Sequence, residues 1–133
     1  MPTILPTAMP RILVAEDETI VAFDLCETLE EAGFHIDGPH ATIASARRAI
    51  DREQPVLAIL DVSLRDDLSY PLAKDLEALG VTVMFHSGLH SRDSIKRHFP
   101  HAKVLLKPCP PADVLAAVSA RMEPVIEVRP AIA

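Results

Sequence analysis

The sequence contains no tryptophan, and aromatic residues make up only 4% of its 133 residues. No low-complexity tract interrupts it. Hydrophobic residues account for 49% of the chain, so we predict a mainly aliphatic core of Val, Ile, Leu and Ala. This composition indicates a globular chain rather than a disordered one, and the length suits one domain better than two.

Sequence features that target proteins to membranes or export are also missing. No apolar run approaches the roughly 20 residues that span a bilayer. Residues 1–10 contain three prolines and no charged stretch ahead of an apolar one, unlike a secretory signal. We therefore expect a cytoplasmic protein in which Cys26 and Cys109 are reduced. Cys26 shares a helical stripe with Ala22 and Leu29, which predicts that it lies in the core.

Long basic runs are absent as well, and the formal net charge is −6. The pairs Arg47-Arg48 and Lys96-Arg97 are isolated from each other. Because nucleic acids and anionic membranes attract continuous basic surfaces, we expect no direct binding to DNA and no membrane association.

The chain does contain five short apolar segments that alternate with five segments of helical periodicity. Alternation of this kind predicts an α/β fold, in which helices cover both faces of a parallel sheet through right-handed crossovers. Helices are predicted to begin near Thr19, Thr42, Ser69, Ser91 and Pro111. The predicted strands are residues 11–15, 34–37, 54–60, 81–85 and 103–106.

The apolar faces of the predicted helices define what they bury. Leu72, Leu76 and Leu79 recur at helical spacing and are predicted to face the core. We assign residues 11–122 to a single domain, residues 1–10 to an N-terminal lead and residues 123–133 to a C-terminal tail. The tail is too short for a DNA-binding or enzymatic domain.

Polar residues follow four of the predicted strands, at the point where each strand ends. Because the carboxyl ends of parallel strands meet at one edge of the sheet, these side chains are expected to converge there. In chain order they are Glu16 and Asp17, then Asp61, then Ser87-Gly88, then Lys107-Pro108.

Three carboxylates beside one lysine favour a hard cation and a phosphoryl group bound side by side. Two like charges about 4 Å apart cost on the order of 4 kcal/mol at an effective dielectric of 20. A lysine alone cannot offset several such pairs, so we predict Mg²⁺ as the cofactor. Asp17 and Asp61 are predicted to bind the ion directly, and Glu16 mainly through water. The free oxygen of Asp61 can then attack phosphorus in line.

Taken in this order and spacing, the four motifs show that residues 11–122 resemble the receiver domain of two-component response regulators. The resemblance implies a flavodoxin-like fold, a doubly wound five-stranded parallel sheet of order 2-1-3-4-5 with five helices. It also implies that Asp61 accepts a phosphoryl group from a phosphohistidine, carried by a sensor histidine kinase or a histidine phosphotransfer protein.

The resemblance assigns roles to the remaining residues of the edge. Ser63 would offer its backbone carbonyl to Mg²⁺, and Lys107 would bind the phosphoryl group as a point charge. The phosphate oxygens would be held by the Ser87 hydroxyl and by the N–H groups of Val62 and Gly88. On phosphorylation, receivers shift the loop after strand four and helix four.

Two positions depart from the family pattern. Receivers commonly have an aromatic residue three positions before the lysine, where this chain has Val104, and often a bulky aromatic after Lys-Pro, where it has Cys109. We therefore expect an unusual output at the face formed by helix four, strand five and helix five. With no further domain, the chain resembles stand-alone receivers, which act on a downstream protein partner.

Two other function classes remain open from the residues. The first is an unphosphorylated scaffold with a receiver fold. The second is an enzyme on a similar fold. A flavodoxin needs a Ser/Thr/Gly-rich phosphate loop after strand one, where the acids 16–18 of this chain would repel phosphate, and an aspartate-nucleophile phosphatase needs a second acid where this chain has Ser63. We expect no enzyme beyond catalysis of its own phosphorylation and dephosphorylation.

His86 and His90 are predicted to be exposed loop residues, and Asp66 and Asp67 part of a solvated loop.

Overall fold

The structure, a computed structural model, describes the backbone of residues 10–126 and the side chains of residues 10–122. Strands and helices alternate throughout, as the sequence predicts. The strands are β1 (Arg11–Ala15), β2 (His35–His40), β3 (Leu57–Leu60), β4 (Thr82–Ser87) and β5 (Lys103–Leu106). The helices are α1 (Thr19–Glu31), α2 (Ile43–Arg52), α3 (Tyr70–Ala78), α4 (Arg92–His98) and α5 (Pro111–Ile126), and a short 3-10 helix (Leu89–Ser91) precedes α4.

All five strands are parallel and form one sheet of order β2-β1-β3-β4-β5. The predicted fold class and strand order are confirmed. Leu60, the last residue of the central strand β3, pairs with Ala15 of β1 and with Phe85 of β4. The carboxyl ends of these strands are therefore level, and the residues that follow them start from the same edge of the sheet.

Helices cover both faces of the sheet, so alternate residues of each strand enter two different cores. Leu13, Leu60 and Phe85 belong to the core beneath α2, α3 and α4. Ile59 and Met84 belong to the core beneath α1 and α5, which also contains Cys26 as predicted. Both cores are mainly aliphatic; their largest aromatic group joins Tyr70, Phe85 and Phe99, with Phe85 and Phe99 ring centroids 5.1 Å apart.

The start of α2 is fixed by two side chains. Thr42 is the predicted N-cap, and its hydroxyl accepts a hydrogen bond from the Ser45 amide at 3.1 Å. The carboxylate of Asp66 accepts two more, from the Ile43 amide at 2.7 Å and the Ala44 amide at 3.2 Å. Asp66 is exposed, but the prediction of a merely solvated loop residue was incomplete, because amides at a helix start attract a carboxylate from a neighbouring loop.

Strand β2 runs through Gly38 and Pro39, where the sequence predicts its end. The pairing with β1 shifts between Leu13 and Ala15, which are opposite Asp37 and His40. At this irregularity β2 has one residue more than the facing part of β1. Because β2 is an edge strand, the missing N–H of Pro39 can face the open side, where no strand hydrogen bond is lost.

Strand β4 is also longer than predicted, and the extension changes one assignment. It includes His86 and Ser87, which pair with Leu105 and Leu106 of β5. His86 is 5% exposed, so its prediction as an exposed loop residue was wrong, while His90 is exposed. Leu79 was also predicted wrongly: α3 ends at Ala78, and the Leu79 side chain is 52% exposed.

Helix α5 continues to Ile126, four residues past the predicted end of the domain at residue 122. Pro124 lies in the last turn, where a missing N–H removes a single helical hydrogen bond. The rest of the predicted tail, residues 127–133, and residues 1–9 of the predicted lead lie outside the described residues. Within residues 10–126, no helix has the length and apolar character required to cross a bilayer.

Candidate functional site

Backbone hydrogen bonds between neighbouring strand ends fix the residues that follow them. The Asp61 amide donates to the Ala15 carbonyl at 2.9 Å, which ties the end of β3 to the end of β1. The Lys107 amide donates to the Ser87 carbonyl at 2.9 Å, which ties the end of β5 to the end of β4. Glu16, Asp61 and Lys107 therefore stand at one edge of the sheet on a rigid support, as the sequence predicts.

Lys107 is the centre of this site because its ammonium group contacts three carboxylates. Its Nζ lies 2.9 Å from Glu16 Oε1, 3.0 Å from Asp61 Oδ2 and 3.0 Å from Glu18 Oε1. One positive charge faces three negative charges, so the site has an excess of negative charge at neutral pH. Burial alone would lower the pKa of Lys107, but the three carboxylates outweigh it and raise this pKa, which keeps the lysine charged.

Glu16 is the most buried carboxylate of the site, with 2% of the residue exposed. Burial alone would raise the pKa of Glu16, but His86, Lys107 and the Glu18 amide outweigh it and hold this pKa at about 2. The Glu18 amide donates to Glu16 Oε2 at 3.1 Å. Glu16 Oε1 lies 3.8 Å from His86 Nδ1, and neither of these buried atoms has a well-oriented hydrogen-bond partner among the described residues.

Asp61 has the opposite pKa shift from Glu16. Burial raises the pKa of Asp61, the hydrogen bond from Lys107 lowers it, and the negative charge of Glu16 raises it again, so that the net shift is upward. Lys107 donates to Oδ2, whereas Oδ1 accepts no hydrogen bond from any residue that the structure describes. Asp61 therefore presents one carboxylate oxygen that is free to take a new partner.

Glu16, Glu18 and Asp61 form a group of carboxylates suited to a metal ion, because one oxygen from each lies within 4.8 Å of the others. Asp17, predicted as a direct ligand, is half-buried and does not belong to this group. The backbone is extended at Glu18, and an extended chain places residues i and i+2 on the same side, which brings Glu18 toward Lys107 with Glu16. The role of Asp17 stays a prediction.

The groups predicted to hold phosphate oxygens have open hydrogen-bonding capacity. The amides of Val62 and Gly88 and the hydroxyl of Ser87 donate no hydrogen bond to another residue in the described range. Ser87 is buried, whereas Ser63, predicted to offer its carbonyl to the metal, is exposed in the loop after β3. Because these donors have no partner among the described residues, they are open to an anionic ligand.

Two further residues support the site, although the sequence did not assign them to it. Ser69 is fully buried, and its hydroxyl donates to the backbone carbonyl of Asp61 at 2.6 Å. The sequence predicted Ser69 only as a helix start, and its side chain makes no capping bond. Glu18 could have been selected from the run of three acids after β1, but its partner Lys107 is 89 residues away in the sequence.

The arrangement can bind a hard cation with its carboxylates and an anionic group with Lys107 and the open donors. Such a pairing of cation and anion neutralises charge that neither set could neutralise alone. A carboxylate oxygen that is free and adjacent to both sets can act as a nucleophile toward phosphorus.

Comparisons with known proteins agree with this description. No family model matches the chain. Transcriptional regulatory protein PdtaR of Mycobacterium tuberculosis is 27% identical over 115 residues, which cover 84% of this chain and 56% of that protein. The chain thus spans about half the length of the curated relatives it matches.

Similar solved structures cover nearly all of the described residues. SdrG from Sphingomonas melonis Fr1 is 34% identical, with a TM-score of 0.73 over 85% of this chain and 96% of that chain. The PhyR response regulator REC domain from Erythrobacter litoralis is 22% identical, with a TM-score of 0.78 over 96% and 98% of the two chains. A CheY-like response regulator receiver domain protein from Methanospirillum hungatei is 23% identical, with a TM-score of 0.77 over 88% and 96%.

Proposed function

Because the chain belongs to the receiver-domain family of two-component response regulators, we propose that it is a signalling switch that accepts a phosphoryl group on Asp61. The observation that carries this proposal is the position of Asp61. Its carboxylate stands at the end of the central strand, 3.0 Å from the Lys107 ammonium, with one oxygen free.

The phosphoryl donor is proposed to be a phosphohistidine on a sensor histidine kinase or a phosphotransfer protein. Asp61 Oδ1 attacks phosphorus, the new O–P bond forms as the N–P bond of the donor breaks, and the released imidazole takes up a proton. The product is an acyl phosphate on Asp61 and a free histidine on the donor. The chain catalyses this transfer and the later hydrolysis of its own acyl phosphate, and it turns over no other substrate.

Lys107, Ser87 and the open amides of Val62 and Gly88 supply donors to the phosphoryl oxygens. The negative charge of the phosphoryl group then competes with the three carboxylates for contact with the Lys107 ammonium. This redistribution of one shared cation is a local change that can alter the contacts of β4 and β5, where Ser87 and Lys107 are joined.

The carboxylates also fit a divalent cation, because oxygens of three of them converge and share one lysine. Mg²⁺, when bound, would neutralise charge on the phosphoryl oxygens and on the acids around them. Glu16, Glu18 and Asp61 would hold it, and Asp17 and the Ser63 carbonyl remain predicted ligands. Calorimetry with Mg²⁺ separates this switch from an unphosphorylated scaffold, which has no reason to bind the ion.

The direct test is labelling with acetyl phosphate and Mg²⁺, followed by intact-protein mass measurement. The wild-type chain should gain one phosphoryl group, and Asp61→Asn should gain none. Asp67→Asn is the matched control, because it removes an exposed carboxylate from the same loop. Labelling of Asp61→Asn to the wild-type extent would overturn the assignment.

A further inference from the structure

His86 is a buried histidine whose Nδ1 has no hydrogen-bond partner among the described residues. It lies on β4, directly before Ser87. Buried polar atoms are normally paired, because an unpaired one has given up its bonds to water without a replacement. The open Nδ1 of His86 therefore points to a partner in another state of the site.

Glu16 is the acidic side chain that faces this nitrogen. Its Oε1 lies 3.8 Å from His86 Nδ1, beyond hydrogen-bond distance. The other oxygen, Oε2, accepts from the Glu18 amide at 3.1 Å. Oε1 instead lies 2.9 Å from the Lys107 ammonium, which also contacts Glu18 and Asp61. Glu16 Oε1 therefore depends on a cation that it shares with two other carboxylates.

Phosphorylation of Asp61 would change the partners of that shared cation. Phosphoryl oxygens attract the Lys107 ammonium, and any movement toward them takes it away from Glu16 Oε1. Glu16 is 2% exposed, so water has little access to replace the lost contact. A closure of about 1 Å would bring His86 Nδ1 within hydrogen-bond distance of Oε1. The geometry thus provides a second donor for the oxygen that loses its first.

We propose that His86 is a positioning residue, which donates from Nδ1–H to Glu16 Oε1 when Lys107 turns to the phosphoryl group. This inference rests on the proposed function, because phosphorylation is the event that withdraws Lys107. The imidazole stays neutral with its proton on Nδ1, and no proton passes to Glu16. His86 thereby keeps the Glu16 carboxylate charged and oriented toward the site.

The test compares variants that keep or remove this donor. In His86→Asn the side-chain amide nitrogen can take the place of Nδ1, in His86→Gln it reaches the place of Nε2, and His86→Leu fills the space without a donor. The measurement is the initial rate of labelling by acetyl phosphate with Mg²⁺, followed by intact-protein mass. His86→Leu and His86→Gln should be slower than the wild type by at least about tenfold, and His86→Asn by less than about threefold, since only Asn keeps the hydrogen bond to a charged group.

His35→Leu is the matched control, because it replaces an exposed histidine at the start of β2, and it should label at the wild-type rate. Thermal unfolding of the unphosphorylated chain controls for folding. Lys107 still holds Glu16 in that state, so His86→Leu should unfold at or above the wild-type midpoint, because it removes an unpaired buried polar atom.

The wild-type chain provides an independent spectroscopic signature. The imidazole ¹⁵N signals of His86 should place the proton on Nδ1. The Nδ1–H signal should move downfield when Mg²⁺ and beryllofluoride, a mimic of the phosphoryl group, are added.

The role of His86 and the proposed function can fail separately. A wild-type rate in His86→Leu, equal losses in His86→Asn and His86→Leu, or rates that merely follow the unfolding midpoints would overturn the role of His86 and leave the proposed function intact. A proton on Nε2 in the beryllofluoride complex would do the same. Failure of the wild-type chain to label at all would overturn the proposed function, and this inference with it.

Discussion

Two lysines at opposite ends of β5 occupy different electrostatic environments. Lys107, directly after the strand, lies within 3.0 Å of carboxylate oxygens from Glu16, Glu18 and Asp61. Lys103, the first residue of the strand, lines a groove between α4, β5 and α5 whose lining, within the described residues, includes no aspartate or glutamate. We call it the basic groove, and its other lysine and arginine side chains are Arg92, Lys96 and Arg121. Three residues separate Lys103 from Lys107.

The difference shows how the two regions select ligands. At the strand ends, acids outnumber the cation and the charges are partly removed from water, so this region favours a divalent cation, and a phosphoryl group would need additional positive charge beside it. In the basic groove the lysines and arginines are exposed and form no ion pair with the side chains of residues 10–122. We propose the first region for phosphoryl chemistry.

The largest difference between the two regions should appear in a matched pair of lysine variants. Lys107→Ala leaves the buried Glu16 carboxylate without its cation, and we expect the free energy of unfolding to fall by roughly 3 kcal/mol. The same variant should lose labelling by acetyl phosphate about a hundredfold. Lys103→Ala should change stability by less than about 0.5 kcal/mol. Urea unfolding at constant ionic strength measures the stability of both variants.

Mg²⁺ provides a second comparison of the same pair. A divalent cation can replace part of the charge lost with Lys107, so the unfolding midpoint of Lys107→Ala should rise more with Mg²⁺ than that of Lys103→Ala. Equal stability losses in the two variants would contradict the contrast between paired and unpaired lysines.

A smaller loss of folding stability is expected when the pH is lowered. The pKa of Glu16 is about 2 in the folded chain against an ordinary value of 4.5, so Glu16 contributes stability above pH 4.5 that is lost as the pH falls toward 2. The contribution is roughly 3 kcal/mol for Glu16 considered alone. The raised pKa of Asp61 acts in the opposite direction and reduces the net loss.

Unfolding measured from pH 6 to pH 3 without divalent ions checks this account, and Glu16→Gln should flatten the acid limb of stability. Glu31→Gln, on the exposed surface of α1, is the control. An unchanged acid limb in Glu16→Gln would show that Lys107 does not stabilise the Glu16 carboxylate.

The smallest change in stability is expected for a control variant at the start of α2. Thr42→Ala removes the hydroxyl that accepts from the Ser45 amide at the start of α2, and we expect a loss of about 1 kcal/mol of stability. Phosphoryl labelling should be unchanged, because α2 contributes to neither region. If Thr42→Ala lowered labelling, global stability rather than local charge would explain the effects of the lysine variants.

The sequence predicted most of the fold because its strands are short apolar runs bounded by polar or turn residues. The convergence of Glu16, Asp61 and Lys107 could be predicted as well, since parallel strands place their carboxyl ends at one edge. His86 could not be placed correctly, because the apolar run stops at Phe85 while pairing with β5 extends the strand through Ser87. Strand pairing is a tertiary property, and the local pattern does not contain it.

Details of the site depended on contacts between distant residues. Glu18 and Asp17 are neighbours with the same charge, and only the proximity of Lys107 in space distinguishes them. Ser69 has the pattern of a helix cap, yet its hydroxyl donates to the Asp61 carbonyl, because the loop after β3 folds back over the strand end. The basic groove was not predicted, because the sequence places its residues in three separate segments.

Whether Asp61 accepts the phosphoryl group is decided by locating that group on the wild-type chain. After treatment with acetyl phosphate and Mg²⁺, borohydride reduction converts an aspartyl phosphate to homoserine, and peptide mass mapping identifies the converted residue. Conversion at position 61 alone is the predicted result. Conversion at another acid, or phosphoryl transfer that leaves residue 61 an aspartate, would contradict the account.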